Sequence, residues 1–480
     1  MSAPMNASRR AFLRASAGLA AASAQPWGPK LSLPLAMHLA GLGALAAHQA
    51  QAANTSDGYK ALVCLYLDGG SDSHNWVIPT DPGNRASYAT ARGELAWPAA
   101  KVKPILVTGQ GSGRTFGMPQ ELDPLRAWYE QGRCAVLANV GTLVRPVSKA
   151  DFQAGVGLPA KLFSHNDQAA TWQSLQPEGA PTGWGGRMGD ILMSANEQPV
   201  FTAISASGNA VFLSGSQVTP YQVGPDGPVQ INGAQAGWRA GSSAVPDALR
   251  SLLASSGSNA VEAEYLKVVQ RSLNTSGTLQ AALANVPTMA LPTAPIALPS
   301  GGTLALNNDA LARQLRIVAR MMAAGPSLGL RRQVFMVSIG GFDSHANQMR
   351  DQPLLMARVA QSVNWFMTTL QAQGLLNKVL LFTASDFGRT LASNGAGCDH
   401  GWGSHHLVAG GAVKGQKMYG NFPVTALGTA DDLGSGRLLP STSVTQLSAT
   451  LGGWMGLTDG ELAQVLPNLG NFASPRLGFV

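Results

Sequence analysis

Ala61-Leu-Val-Cys-Leu-Tyr-Leu67 runs without a charged or strongly polar break and then stops at Asp68-Gly69-Gly70. An apolar run of this length, closed by an acid and a glycine pair, is the pattern of a strand covered on both faces of a parallel sheet. Working outward, similar runs occur at Ala135 to Ala138, Val334 to Ile339, Val379 to Thr383 and, less fully, Leu407 to Ala409. Helical stretches lie between them, among them Gln120 to Gln131, Asp309 to Ala324 and Arg350 to Gln373. Strands alternating with helices predict an α/β fold with a mostly parallel central sheet flanked by helices.

Upstream, Ser8-Arg9-Arg10-Ala11-Phe12-Leu13-Arg14 is a paired-arginine box followed by the small apolar run Ala15 to Ala24, with no acid before Asp57. That order predicts a twin-arginine signal peptide, with the twin-arginine translocase as export partner and a periplasmic or secreted destination. Leu31 to Ala53 is broken by Pro34, His38, His48, Gln49 and Gln51, and Ala50-Gln51-Ala52 offers a small-residue cleavage point after Ala52. The mature protein is therefore expected outside the bilayer, an uncleaved anchor being the alternative. The predicted division is a signal peptide over 1–52, an α/β domain over 53–207 and 301–480, and an insertion or cap over 208–300. There the sequence thins into Gly, Ser, Ala, Pro and Gln around one helical stretch, Val261 to Val286.

Loss of the leader removes Arg9, Arg10, Arg14 and Lys30 and no acid, taking the formal net charge from +7 to +3. The remaining Lys and Arg are scattered, which argues against nucleic-acid binding. Cys64 and Cys134 lie in apolar runs and Cys398 stands beside Asp399, so the three cysteines make no disulfide framework. Neither a Walker A loop, a dinucleotide glycine motif nor a C-x-x-C pair occurs. Gly325-Pro-Ser-Leu-Gly329 follows a helix and precedes a strand, the reverse of a nucleophile elbow.

Ligands of open parallel sheets bind beyond the carboxyl ends of the strands, and in this chain polar clusters follow the apolar runs. They are Asp68-Gly-Gly-Ser-Asp72-Ser-His74-Asn75, Gly340-Gly-Phe-Asp343-Ser-His345, Ser385-Asp386-Phe-Gly-Arg389, and Asp399-His400 with His405 and His406. Carboxylates mixed with imidazoles form a donor set that suits zinc, manganese or iron. Ser164-His165-Asn-Asp167 opens a helix, with Ser164 placed as N-cap and Asp167 at capping-box distance; a hydroxyl at a helix N-terminus is also a place for a nucleophile.

The chain resembles the DUF1501 family of twin-arginine-exported proteins, itself similar to distant members of the alkaline phosphatase and sulfatase superfamily. The motifs carrying this are Gly69-Gly70-Ser-Asp72-Ser-His-Asn75, Ser164-His165 with Gln168 and Trp172, Gly183-Trp184-Gly-Gly-Arg187, Gly341-Phe-Asp343-Ser-His345, Ser385-Asp386-Phe-Gly-Arg389-Thr390 and Asp399-His400-Gly-Trp402-Gly403. The resemblance implies an alkaline-phosphatase-like fold and a metal-dependent hydrolase of small anionic phosphate or sulfate esters. Its metal ligands would come from Asp72, Asp68, Asp343, His345, Asp386 and His400, holding one or two divalent ions of zinc, manganese or calcium. Ser164, with His165, would be the nucleophile and Arg389 the clamp on an ester oxygen. Two departures, the D-x-H spacing of Asp343 and His345 and Phe387 where a ligand histidine is expected, imply an incomplete second metal site. They also leave open a non-enzymatic exported binding or assembly protein on the same fold.

Overall fold

The computed structural model describes residues 58–229, 247–248, 251 and 260–480; the expected twin-arginine leader and the expected cleavage point after Ala52 lie outside the described residues. The opening run forms β1 (Lys60–Leu67), which is buried from Ala61 onward. Ala61, Val63, Leu65 and Leu67 enter the main apolar cluster, and the residues between them point to the opposite face.

The other main strands are β2 (Cys134–Gly141), β3 (Ala203–Ser205), β4 (Tyr221–Gly224), β5 (Arg332–Ile339), β6 (Val379–Ser385) and β7 (Ser404–Ala409). β1 lies between β5 and β6, parallel to both, with Leu65 opposite Val337 on one side and Thr383 on the other. The order across the sheet is β2-β7-β6-β1-β5-β3-β4, continued by the short strands Met418–Tyr419 beside β2 and Gly227–Pro228 beside β4. β7 runs against both β6 and β2, whereas β1, β2, β3, β4, β5 and β6 share one direction. The expected α/β class with a mostly parallel sheet is what the chain adopts.

Helices cover both faces. On one, α3 (Ala310–Ala324) and α4 (Gln348–Ala372) bury Leu311, Leu315, Val318, Met356, Val359, Val363 and Phe366 in the cluster that takes the odd-numbered residues of β1. On the other, Phe382 of β6 meets Trp172 and Trp184, rings of the helices α1 (His165–Ser174) and α2 (Trp184–Leu192). The segment 208–300 supplies β4 to the sheet edge and a helix, Ala260–Ala284, whose Leu279 and Leu283 join the main cluster. No helix among the described residues is long and apolar enough to cross a membrane. All three cysteines are buried and unpaired.

This architecture places the site. The parallel strands β1, β5 and β6 end at Leu67, Ile339 and Ser385, and the antiparallel β7 begins at the same edge with Ser404. The segments carrying Asp68, Asp343, His345, Asp386, Arg389 and His400 therefore leave the sheet together, as the rule for open α/β sheets requires.

Candidate metal and active site

Three imidazoles and one carboxylate meet at this edge. His345 Nε2 stands 3.1 Å from Asp343 Oδ1 and 2.9 Å from His400 Nε2. His165 Nε2 and His400 Nε2 lie 3.5 and 3.6 Å from the same Asp343 oxygen. Ligand atoms of His165, Asp343 and His400 all fall within 4.8 Å of one another, the one such group among the described residues, and such a group can hold a metal ion. Donors about 2.1 Å from a shared ion stand about 3.0–3.4 Å apart at the usual coordination angles, close to the separations found here.

The far sides of His165 and His400 fix their tautomers. His400 Nδ1 is 2.7 Å from the Phe163 carbonyl oxygen, which can only accept, so the proton is on Nδ1. His165 Nδ1 faces Asp386 Oδ2 at 2.7 Å, and His345 Nδ1 faces Asp399 Oδ1 at 3.2 Å, both carboxylate oxygens. In the neutral His165 and His400 rings Nε2 is then a lone pair turned towards Asp343. His345 instead has a carboxylate oxygen at each nitrogen, and its Nε2 either donates to His400 Nε2 at 2.9 Å or, with its proton on Nδ1, is free for an ion. His165 Nε2 is buried and has no hydrogen-bond partner. Metal-binding histidines characteristically hold the second ring N–H on a carboxylate or carbonyl in this way.

The backbone contributes to the aim. Phe163 adopts φ +70° and Lys161 φ +44°, left-handed values unusual for side chains of that size. Phe163 also carries the Arg437 guanidinium over its ring at 5.2 Å, and Arg437 Nε donates to the His400 carbonyl at 2.9 Å, so His400 is held at both its ring and its backbone. Phe387 packs against the His165 and His400 rings with centroids 4.8 and 4.7 Å away. Gly70 makes room for it, since a Cβ there would stand 2.4 Å from the Phe387 ring.

Charge is unbalanced at this edge. Burial raises the Asp68 pKa, with the Asp386 carboxylate adding to the effect and His165 opposing it. Burial also works against the charge of Asp343, but the Arg389 guanidinium hydrogen-bonded to it leaves its pKa lowered. Asp399 is lowered first by the hydrogen bond from Asn394. Burial lowers His400.

Several predicted site residues are placed otherwise. Asp72 does not join the cluster: it is buried in an ion pair with Arg92, and its carboxylate also accepts from Gln348 and from the His74 amide. Asp386 stands behind His165 as its hydrogen-bond acceptor, with Oδ1 buried and unpartnered. Arg389 is no clamp in this arrangement, because its side chain is 0% exposed and its terminal nitrogens donate to Asp343, Gly69 and Cys398. Ser164 occupies the N-cap position of α1, but its hydroxyl caps no amide and donates to Asp167 Oδ2 at 2.7 Å. His405 and His406 point into the packed interior from β7, away from the donor group. Asp399, read from the sequence as part of a donor cluster, stands behind His345, and the Phe163 carbonyl and Arg92 were not foreseen as support for the site.

No curated protein matches the sequence. The fold is similar to solved structures of hydrolases at low identity. These include a phosphonate monoester hydrolase from Silicibacter pomeroyi, 9% identical over 83% of this chain and 73% of that one, with a TM-score of 0.32. The phosphonate monoester hydrolase of Agrobacterium radiobacter is 10% identical, covering 83% and 74%, with a TM-score of 0.31. A sulfatase from a Pseudoalteromonas species is 12% identical, covering 88% and 75%, with a TM-score of 0.29. Residues 147–469, about two thirds of the sequence and including His165, Asp343, His345 and His400, match the family described as protein of unknown function (DUF1501), and the chain belongs to that family.

Proposed function

We propose that this protein is a metal-dependent hydrolase of phosphate or sulfate esters, exported through the twin-arginine translocase to work outside the cytoplasm. The observation that carries the reading is the convergence of three imidazole Nε2 atoms on Asp343, each ring held from behind through Nδ1. His165, His345 and His400 would supply nitrogen and Asp343 oxygen, a set that suits zinc or manganese better than calcium, which takes six to eight oxygen ligands. A dication in such a set polarises an ester oxygen and makes a bound water more acidic.

The protein's own groups do the rest. Arg389 fixes Asp343, Asp386 and Asp399 fix two of the rings, and Phe387 keeps water from their flank. Ser164 precedes His165 directly, and its hydroxyl donates to Asp167, a carboxylate able to take the proton. The Ser164 oxygen would bond to phosphorus or sulfur as the bond to the alcohol oxygen breaks, the alcohol leaving with a proton from water. A second water would then release phosphate or sulfate from Ser164. Protein purified without chelator is expected to carry about one divalent ion per chain and to hydrolyse at least one of a panel of aryl sulfates and aryl phosphates. His400→Ala should weaken ion binding by more than the roughly 10–100-fold typical of losing an outer-shell partner. Absence of both ion and turnover, with zinc, manganese and calcium each added back, would remove the proposal.

A second reading, a non-enzymatic exported binding or assembly protein braced by the ion, is favoured by the Ser164 hydroxyl being engaged with Asp167. It expects one bound ion, no turnover, and an unchanged ion affinity in Ser164→Ala.

A further inference from the structure

We infer that the site selects singly charged tetrahedral esters, sulfate monoesters or phosphodiesters, over doubly charged phosphate monoesters; the inference rests on the proposed hydrolytic site. Asp343 of the donor group has three further carboxylates about it: Asp399 on His345, like Asp343 about half exposed, buried Asp386 on His165, and Asp68, open to solvent on one side and within electrostatic reach of Asp386 and His165. Among the described residues, Arg389 is the one Arg or Lys side chain in ion-pair contact with any of them, and it is engaged with Asp343 and two carbonyls.

The neighbouring cations are also occupied. Lys161 Nζ faces Asp167 at 3.4 Å and Glu178 at 3.9 Å. Arg437 lies over Phe163 and donates to the carbonyls of His400 and Gly434. With a dication in place, four carboxylates against Arg389 leave one negative charge, and counting Arg437 brings the sum only to zero. With one dication the site therefore has no positive charge to spare for a dianion. Asp399 and Asp68 also face solvent beside the donor group. An additional unit charge a few ångströms from such a group costs about tenfold or more in binding at the effective dielectric of a protein surface.

The test uses the whole protein loaded with cobalt(II), whose visible spectrum reports anions entering its coordination sphere, at pH 8. Methyl sulfate and dimethyl phosphate are the singly charged probes and methyl phosphate the doubly charged one. Both singly charged probes are expected to perturb the spectrum at concentrations at least about tenfold lower than methyl phosphate, and Asp68→Asn is expected to narrow that ratio. Turnover of 4-nitrophenyl sulfate and of bis(4-nitrophenyl) phosphate then tells the sulfate source from the phosphodiester source. Methyl phosphate binding as tightly as the other two, or a ratio unmoved by Asp68→Asn, overturns the inference while leaving hydrolysis intact. Charge selection in the spectrum without turnover of any ester supports the inference and removes the hydrolytic reading. Failure of cobalt(II) to bind overturns both.

Discussion

Arg92→Met should destabilise the folded chain by about 3–5 kcal/mol, the usual result of removing one partner from a buried ion pair. Arg92 and Asp72 are both within 1% of full burial, so the lost guanidinium would strand a carboxylate with no access to water. Its effect spreads because Arg92 Nη1 also donates to the carbonyls of Thr390 and Leu391, each at 3.2 Å, immediately after Arg389. Gln348 joins the same Asp72 oxygen and accepts from the Cys398 thiol at 2.9 Å, tying in the segment that leads to His400. The pair is thus a hub under the donor group, and the variant should lose ion affinity along with stability. Urea unfolding checks the first and ion competition the second. Adding Asp72→Asn to Arg92→Met should recover part of the stability, since the stranded charge is gone while the two carbonyls stay unsatisfied. A loss below about 1 kcal/mol in the single variant would mean that the pair contributes no more than an exposed one.

That hub shows where sequence reading stops. β1, β5 and β6 were legible because strands covered on both faces read as unbroken apolar runs. Asp343, His345 and His400 were legible because the sheet's carboxyl edge makes an acid or imidazole after such a run worth singling out. Choosing between Asp68 and Asp72 was beyond the sequence: both follow β1 within five residues, and what separates them is an arginine twenty positions later. Arg92 ends the helix Pro82–Arg92, where a basic residue reads as a partner of the helix dipole, and nothing local announces a buried ion pair. The Phe163 carbonyl left no signal at all, because the left-handed backbone that aims it belongs to a residue type that rarely adopts it. β7 was legible only in its apolar end, Leu407 to Ala409, because Ser404, His405 and His406 are polar yet fully enclosed.

Those enclosed histidines set the second large effect: stability should fall steeply as the pH is lowered from about 6.5 towards 5. Burial pushes the His74 pKa down to about 4 and that of His406 down to about 3, and burial drives His405 well below its ordinary value. Burial keeps each ring neutral in the folded state, and for His405 and His406 the Nδ1 lone pair is also occupied. His405 Nδ1 takes the Asn139 amide at 3.0 Å, and Phe422 stacks on its ring at 4.2 Å. The Thr383 hydroxyl receives the Leu407 amide at 2.9 Å, leaving its own proton for His406 Nδ1 at 3.2 Å. His74 Nε2 lies 3.1 Å from the Arg389 carbonyl oxygen, and its Nδ1 is sealed in without a partner. With folded pKa values below those of the unfolded chain, the stabilisation is complete above about pH 6.5, and it shrinks below that because the unfolded chain takes up protons that the folded one refuses. Each such histidine contributes a slope of up to about 1.4 kcal/mol per pH unit, so three acting together approach about 4. Most carboxylates titrate near pH 4, and those that burial raises, Asp68 and Glu121, take up protons in the folded state and oppose the slope, so a fall in stability from pH 6.5 to 5 comes from the histidines. Denaturant unfolding at half-unit steps across that interval, in EDTA so that ion loss adds nothing, measures the slope. His406→Gln should reduce it by about one proton, and a stability that stays level from pH 7 to 5 would mean these rings are already charged, or reach water, in the folded protein.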